Sequence, residues 1–177
     1  MFADFTSKSF SGAQKMRNKD QKAVVQQIIQ NYPQLTQVME ELQSKTFTLC
    51  KMSNRCQFVI VEQTMMFWNY YDGQWLPTLR LLHQYPDLLP YVENDKGSCK
   101  FLLQGAQLMA PGVHAIAEQC VLNGIYPFRF SPEVEAMGYL KLVQTPKDIM
   151  KGGRSGCAGE IMMIIGDGLW ETGDQVK

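Results

Sequence analysis

The sequence predicts an α+β protein made of two small domains. Three observations favour this class. Apolar residues recur at helical spacing from residue 22 to residue 42; segments rich in β-branched and aromatic residues follow; and the pattern restarts after residue 94 as short strands with one clear helix. A chain of 177 residues can hold two such domains. We predict an N-terminal α+β domain at residues 1–92 and a second domain at residues 93–177, with the boundary at residues 91–94.

The first domain is expected to begin with a helical hairpin. Val24 and Ile28 belong to an apolar face over residues 22–32, and Pro33 ends that helix because proline lacks the amide that a helix needs. The same period continues over residues 35–42, which predicts a second, shorter helix.

Three strands of an antiparallel meander are expected next, because β-branched and aromatic residues alternate with polar breaks. The strands are predicted at residues 46–52, 57–62 and 65–71. Asp72-Gly73 then predicts a tight turn with positive backbone φ, and Pro77 is expected in the first turn of a helix over residues 77–83.

The second domain is expected to open with a helix. Asp95-Lys96-Gly97 precedes it and Gly105 occupies the position at which helices commonly stop. Helical spacing places Phe101 and Leu102 on the inner face and Lys100 outward. Later elements are strands at residues 107–113, 134–143 and 161–166, a short helix capped by Thr145, and a glycine-rich loop at residues 152–159.

The chain is not a polycation. Its formal net charge is zero, with +2 on residues 1–92 and −2 on residues 93–177. A neutral chain gains little by displacing counterions from nucleic acid, so any RNA contact must be local or shared with a partner. The first 22 residues carry a formal net of +3, which is typical either of a phosphate-facing arm or of a solvated helix start.

The sequence offers no catalytic, metal-binding or cofactor-binding constellation, and we predict that the protein is not an enzyme. His83 and His114 are its two histidines, and neither lies in a catalytic motif. The five cysteines never form Cys-x-x-Cys, which favours reduced, mostly buried thiols. With no membrane-spanning stretch and no signal-peptide pattern, we expect a cytoplasmic protein without membrane contact.

Two groups of residues remain as candidates for binding. Lys96, Gly97 and Lys100 surround a helix start, where free amides and the helix dipole favour a phosphate, although many helices begin in this way without binding anything. The loop with Arg154 is either an ordinary turn or an amide-rich surface for an RNA backbone. The second group is a set of aromatic residues around one hairpin that exceeds what one sheet face can hide. Alternate members are expected to fill the core of the first domain, and the surplus indicates a protein-partner surface. The members of the set are Phe67, Trp68, Tyr70, Tyr71 and Trp75.

Four motifs together resemble the malignant T-cell-amplified sequence family. They are Pro77-Thr78-Leu79-Arg80-Leu81-Leu82-His83-Gln84-Tyr85-Pro86, Asp95-Lys96-Gly97, Gly105-Ala106-Gln107-Leu108-Met109-Ala110-Pro111-Gly112 and Gly166-Asp167-Gly168-Leu169-Trp170. The sequence departs from the family in the region of Gly112 to Ser131. Residues 114–120 replace the usual small-residue turn, and residues 126–132 contain two prolines, Pro127 and Pro132, where a strand is expected.

The resemblance implies that the second domain is a PUA-type β pseudobarrel that binds RNA. It implies a translation factor that acts on the small ribosomal subunit in non-standard initiation, reinitiation and post-termination recycling. The expected partners are density-regulated protein and the subunit's rRNA, with tRNA as a further candidate and no DNA. We predict RNA contacts at Lys96, Gly97, Lys100, Lys151 and Arg154, and partner contacts at Phe67, Trp68, Tyr70 and Trp75. The alternative is an RNA-binding accessory subunit of an RNA-modifying enzyme.

Overall fold

The structure, a computed structural model, describes residues 2–172 and divides them by packing into two compact units. One unit comprises Phe5–Leu81 with Glu171 and Thr172; the other comprises Leu82–Trp170 with residues 2–4. This division lies before the boundary predicted at residues 91–94, three of which form a strand of the second unit. Residue 1 and residues 173–177, the ends of the predicted domains, lie outside the described residues.

The first unit combines a helical hairpin with an antiparallel sheet. In chain order its elements are β1 (Phe10–Lys15), α1 (Asn18–Asn31), α2 (Thr36–Leu42), β2 (Phe47–Met52), β3 (Cys56–Val61), β4 (Thr64–Tyr70) and β5 (Leu76–Pro77), followed by α3 (Leu79–Gln84), which spans the packing division. Both predicted helices are confirmed, and α1 buries Val24, Val25 and Ile28 on one face, as its apolar spacing predicts. The hydroxyl of Tyr32, just past α1, donates a hydrogen bond of 2.8 Å to the Trp75 carbonyl.

The sheet of the first unit has the order β1-β2-β3-β4-β5 with every neighbouring pair antiparallel. The three predicted strands are confirmed as β2, β3 and β4, whereas the edge strand β1 was not predicted. Two local predictions are only partly right. A positive φ angle occurs at Asp72, as predicted, and at Tyr71, but not at Gly73. The predicted helix forms, but it begins at Leu79, and Pro77 pairs with Phe67 in β5 before it.

The second unit is built around a six-stranded sheet that curves into a pseudobarrel. Its elements are β6 (Val92–Asn94), α4 (Cys99–Leu103), β7 (Leu108–Met109), β8 (Val113–Ile116), β9 (Ile125–Phe130), β10 (Gly138–Leu142), α5 (Pro146–Met150), β11 (Cys157–Ile164) and α6 (Gly168–Thr172). The strand order is β7-β11-β10-β9-β6-β8, and only the β6–β9 pair is parallel among these strands. Buried side chains from the strands and from α4 and α5 form one apolar core, which includes Leu102, Phe128 and Ile149.

The strand predictions for this unit are only partly confirmed. The segment at residues 107–113 forms β7, a 3₁₀ turn over Ala110–Gly112 and the start of β8, and not one strand. Strand β10 begins only at Gly138, and β11 begins at Cys157, before the predicted start. The strand expected in the segment with two prolines forms as β9: Pro127 lies within it, and Pro132 follows it after a cis peptide bond.

The five cysteines are free thiols, as predicted, with Cys50, Cys56 and Cys120 buried. In the part of the chain that the structure describes, no helix has both the length and the apolar character needed to cross a membrane.

Candidate nucleic-acid interface

The turn before α4 is held together by its own side chains. Residues Lys96–Ser98 form one turn of 3₁₀ helix, and the Asp95 carboxylate caps it by accepting a hydrogen bond of 3.1 Å from the Gly97 amide. The Ser98 hydroxyl donates to the Asp95 carbonyl at 2.6 Å. The Gly97 amide therefore already has an anionic acceptor, so the phosphate site expected from free amides has to rest on the lysine side chains.

Both lysines of this turn and helix are exposed to solvent. Lys96 Nζ lies 2.8 Å from Glu133 Oε1, and because both side chains are exposed this ion pair is weak and readily exchanged. No carboxylate among residues 2–172 pairs with Lys100, whose Nζ lies 4.9 Å from the ring centroid of Phe101. Lys100 is thus the cation of this region that is most available to an incoming phosphate.

Phe101 does not lie on the inner face of α4. Its side chain is 53% exposed, whereas Leu102 is 1% exposed and packs into the core of the pseudobarrel. The prediction was right for Leu102 and Lys100 and wrong for Phe101. A helix of five residues turns little more than once, so only one narrow stripe of it can face the core.

The glycine-rich loop and the segment before α4 are both hydrogen-bonded to the 3₁₀ turn over Ala110–Gly112. At one end of this turn, the Asp95 amide donates to the Gly112 carbonyl at 2.9 Å. At the other end, the Ala110 amide donates to the Gly156 carbonyl at 2.9 Å. The Arg154 guanidinium donates at 2.7 Å to the carbonyl of Val113, the residue that follows Gly112. The two predicted RNA-binding segments are therefore brought together, with this turn between them.

The remaining cations of this surface are Lys151 and Arg154. Lys151 Nζ lies 3.0 Å from Asp148 Oδ1 on exposed side chains, and a hydrogen bond from Thr145, followed by the contacts with Lys151, lowers the pKa of the Asp148 carboxyl. Arg154 is half-buried, and its bond to Val113 uses one guanidinium nitrogen. We call Lys96, Lys100, Phe101, Lys151 and Arg154 the α4 surface.

The aromatic residues of the first unit are distributed differently from the expectation. Phe67, Trp68 and Trp75 are buried, so the prediction that they form an exposed surface is wrong for these three rings. Tyr70 is half-buried and makes an edge-on contact with Tyr71, with ring centroids 4.4 Å apart. Tyr71 is 56% exposed, and the Arg55 guanidinium carbon lies 4.8 Å from its ring centroid. What remains exposed is a small patch of Tyr70, Tyr71 and Arg55.

A basic groove in the first unit was only partly anticipated. Lys15, Lys22 and Lys45 line a groove of about 460 Å³, together with Asn18 and polar groups of the segment after α2. The positive charge of the first 22 residues was the signal for it, but Lys45 is distant in sequence and joins through the fold. No group of three or more possible metal ligands occurs among residues 2–172.

Comparisons with known proteins match both units. A family model described as a Pre-PUA-like domain matches residues 5–86. The chain is 29% identical over 178 residues to translation machinery-associated protein 20 of Schizosaccharomyces pombe, covering 97% of this chain and 98% of that protein. It is 34% identical over 116 residues to the malignant T-cell-amplified sequence 1 homolog of Dictyostelium discoideum, covering 64% of each chain. A PUA domain structure from Aeropyrum pernix superimposes with a TM-score of 0.67 at 18% identity, covering 93% of this chain and 92% of that one.

Proposed function

We propose that this chain, which is similar to the translation machinery-associated and malignant T-cell-amplified sequence proteins, is an RNA-binding translation factor of the small ribosomal subunit. It acts by binding and not by catalysis. Its place of action is the cytoplasm, where it assists non-standard initiation, reinitiation and post-termination recycling.

The α4 surface is the observation that carries this proposal. The two distant segments that carry Lys96, Lys100, Lys151 and Arg154 are joined by hydrogen bonds through the 3₁₀ turn over Ala110–Gly112 and the residue after it. Cations fixed by a folded scaffold can follow the phosphates of a structured RNA by shape, without reading its sequence. Such a surface suits rRNA or tRNA, whose backbones have defined geometry.

The neutral charge of the chain indicates that this contact is shared with a partner. Four cations neutralise few phosphates, two of them already have carboxylate partners, and the contact is therefore weak by itself. We infer that density-regulated protein is the partner and that it docks on the first unit. With Phe67, Trp68 and Trp75 buried, Tyr70 and Tyr71 are the part of the predicted aromatic set that a partner can reach, and Arg55 lies beside them.

Co-sedimentation with purified small ribosomal subunits tests the RNA contact. The double variant Lys96→Glu and Lys100→Glu should reduce the fraction bound at least several-fold at physiological salt, because it replaces two attractive charges with two repulsive ones. Lys51→Glu is the matched control, since Lys51 is an exposed lysine of the first unit outside the α4 surface. Equal co-sedimentation of the double variant and the wild type would remove the α4 surface from the contact.

Affinity capture from a cell extract tests the assignment to translation. Small-subunit proteins together with a density-regulated partner would support it. Capture of an RNA-modifying enzyme in their place would favour the alternative role as an accessory subunit of such an enzyme.

A further inference from the structure

We propose that Phe101 is a stacking platform for the base of an unpaired nucleotide. The inference rests on the proposed RNA contact of the α4 surface and adds the class of RNA that it selects: a single-stranded end, loop or bulge beside a structured region.

The ring of Phe101 is exposed to solvent. Phe101 is 53% exposed on a helix whose next residue, Leu102, is 1% exposed and fixes α4 to the core. About half of the phenyl surface therefore stays in water and does not contribute the free energy that its burial would provide. The ring is therefore held outward on a rigid element, which is the arrangement that base stacking requires.

A positive charge lies beside the ring. Lys100 Nζ lies 4.9 Å from the Phe101 centroid and has no carboxylate partner among the described residues. A cation–π contact at an exposed site is weak, so a base can replace the ammonium on the ring while the ammonium moves to a phosphate of the same strand. Ring and lysine together offer the two contacts that one nucleotide needs.

The charge beside the ring favours RNA over an apolar protein partner. Three carboxylates that contact this surface already have partners: Asp95 with the Gly97 amide, Glu133 with Lys96 and Asp148 with Lys151. The unpaired charge next to the ring is positive, which favours an anionic occupant. A base inside a duplex already stacks on both of its faces, whereas an unpaired base has a face free to stack on Phe101.

Two hairpin RNAs test this inference with the full chain. They share one duplex; one is blunt, and the other carries a short 3′ overhang that contains 2-aminopurine, whose fluorescence falls on stacking. The wild type should bind the overhang RNA more tightly than the blunt one and quench the probe. Phe101→Leu should weaken binding of the overhang RNA by about tenfold, abolish the additional quenching and leave the blunt RNA unaffected, whereas Phe101→Trp should retain both properties.

Leu103→Ala is the matched control, because Leu103 is an exposed apolar residue of the same helix. This variant should bind both RNAs as the wild type does. If Phe101→Leu binds the overhang RNA with unchanged affinity and quenching, the stacking role is overturned while the phosphate contact stands. If the Lys96→Glu and Lys100→Glu double variant also binds both RNAs as the wild type does, the proposed RNA contact itself is overturned.

Discussion

Leu102 and Leu103 are neighbours on α4 with opposite environments, and this difference predicts their contributions to stability. Leu102 is 1% exposed within the core of the second unit, whereas Leu103 is 48% exposed. Leu102→Ala should lower the free energy of unfolding by about 2–5 kcal/mol, because it removes buried methyl groups and leaves a cavity. Leu103→Ala should change it by less than about 0.5 kcal/mol. Urea unfolding followed by circular dichroism measures both, and equal losses would contradict the burial of Leu102.

Buried thiols and phenols make the protein sensitive to alkaline pH. Burial raises the pKa of Cys56 to about 12 and that of Cys120 to about 11. Burial also raises the pKa of Tyr91 to about 12, against a smaller lowering by Arg129. In the unfolded chain these groups ionise near ordinary values of about 8.5 for cysteine and about 10 for tyrosine. The folded state therefore binds more protons above about pH 8.5, and its stability should fall as pH rises from there towards pH 11–12.

Urea midpoints between pH 7 and pH 10.5 measure this fall. The decline should begin near the ordinary cysteine pKa and steepen where tyrosines ionise. Cys56→Ala removes one of the titrating groups, so its decline between pH 8.5 and pH 10 should be shallower than that of the wild type. A midpoint that is constant over the whole range would contradict the burial of these groups.

Individual positions show where sequence reasoning succeeds and where it fails. Val24 and Ile28 were predicted correctly because a helix of 14 residues repeats its apolar face often enough to define it. Phe101 was assigned to the wrong face because a helix of five residues contains too few turns to do so. Trp68 was placed on a surface because a count of aromatic rings does not reveal that both faces of β4 are covered, as its consecutive buried residues show.

Some of the secondary-structure elements could be predicted from the sequence and others could not. The meander of β2, β3 and β4 follows from their β-branched and aromatic composition, and α5 follows from Thr145, whose hydroxyl accepts a hydrogen bond of 3.2 Å from the Asp148 amide. Strand β1 was missed because residues 11–15 are all exposed, so no apolar alternation marks them. Strand β9 forms although it contains Pro127, and its parallel partner β6 pairs only from Phe128 onward.

Close packing of β10 against its two neighbours predicts a strong requirement for glycine at position 138. A Cβ atom built on Gly138 would overlap the Met163 carbonyl oxygen of β11 and the Phe128 ring of β9. The carbonyl belongs to the backbone and cannot move without disturbing strand pairing. Gly138→Ala should therefore destabilise the protein by roughly 1–3 kcal/mol, as overpacked cores do, with the urea midpoint as the measurement.

Gly12 in β1 is the matched control for this substitution, since nothing lies within 4 Å of a Cβ atom built there. Gly12→Ala should be neutral or stabilising by up to about 1 kcal/mol, because alanine has less freedom in the unfolded chain. If both variants lost stability equally, the cost would arise from the strand conformation and not from the contact with Met163 and Phe128.

The charge of the whole chain sets an upper limit on its electrostatic affinity for RNA. With a net charge of zero and four cations on the α4 surface, the logarithm of the association constant for a single-stranded RNA should fall with the logarithm of salt concentration with a slope of about −3 or shallower. Fluorescence anisotropy between 50 and 200 mM salt, taken here as approximate limits, measures this slope.

Substitution of lysine by glutamine then identifies which cations cause the salt dependence of the association constant. The double variant Lys96→Gln and Lys100→Gln should make it shallower by about 1.4 units, because each phosphate contact on a single strand contributes about 0.7. Lys15→Gln and Lys22→Gln provide the comparison, since these lysines line the basic groove of the first unit and not the α4 surface. Their slope should equal that of the wild type if RNA bound by the protein alone contacts the second unit. A loss of slope confined to the groove variant would transfer the phosphate contact to the first unit and leave the α4 surface without its proposed role.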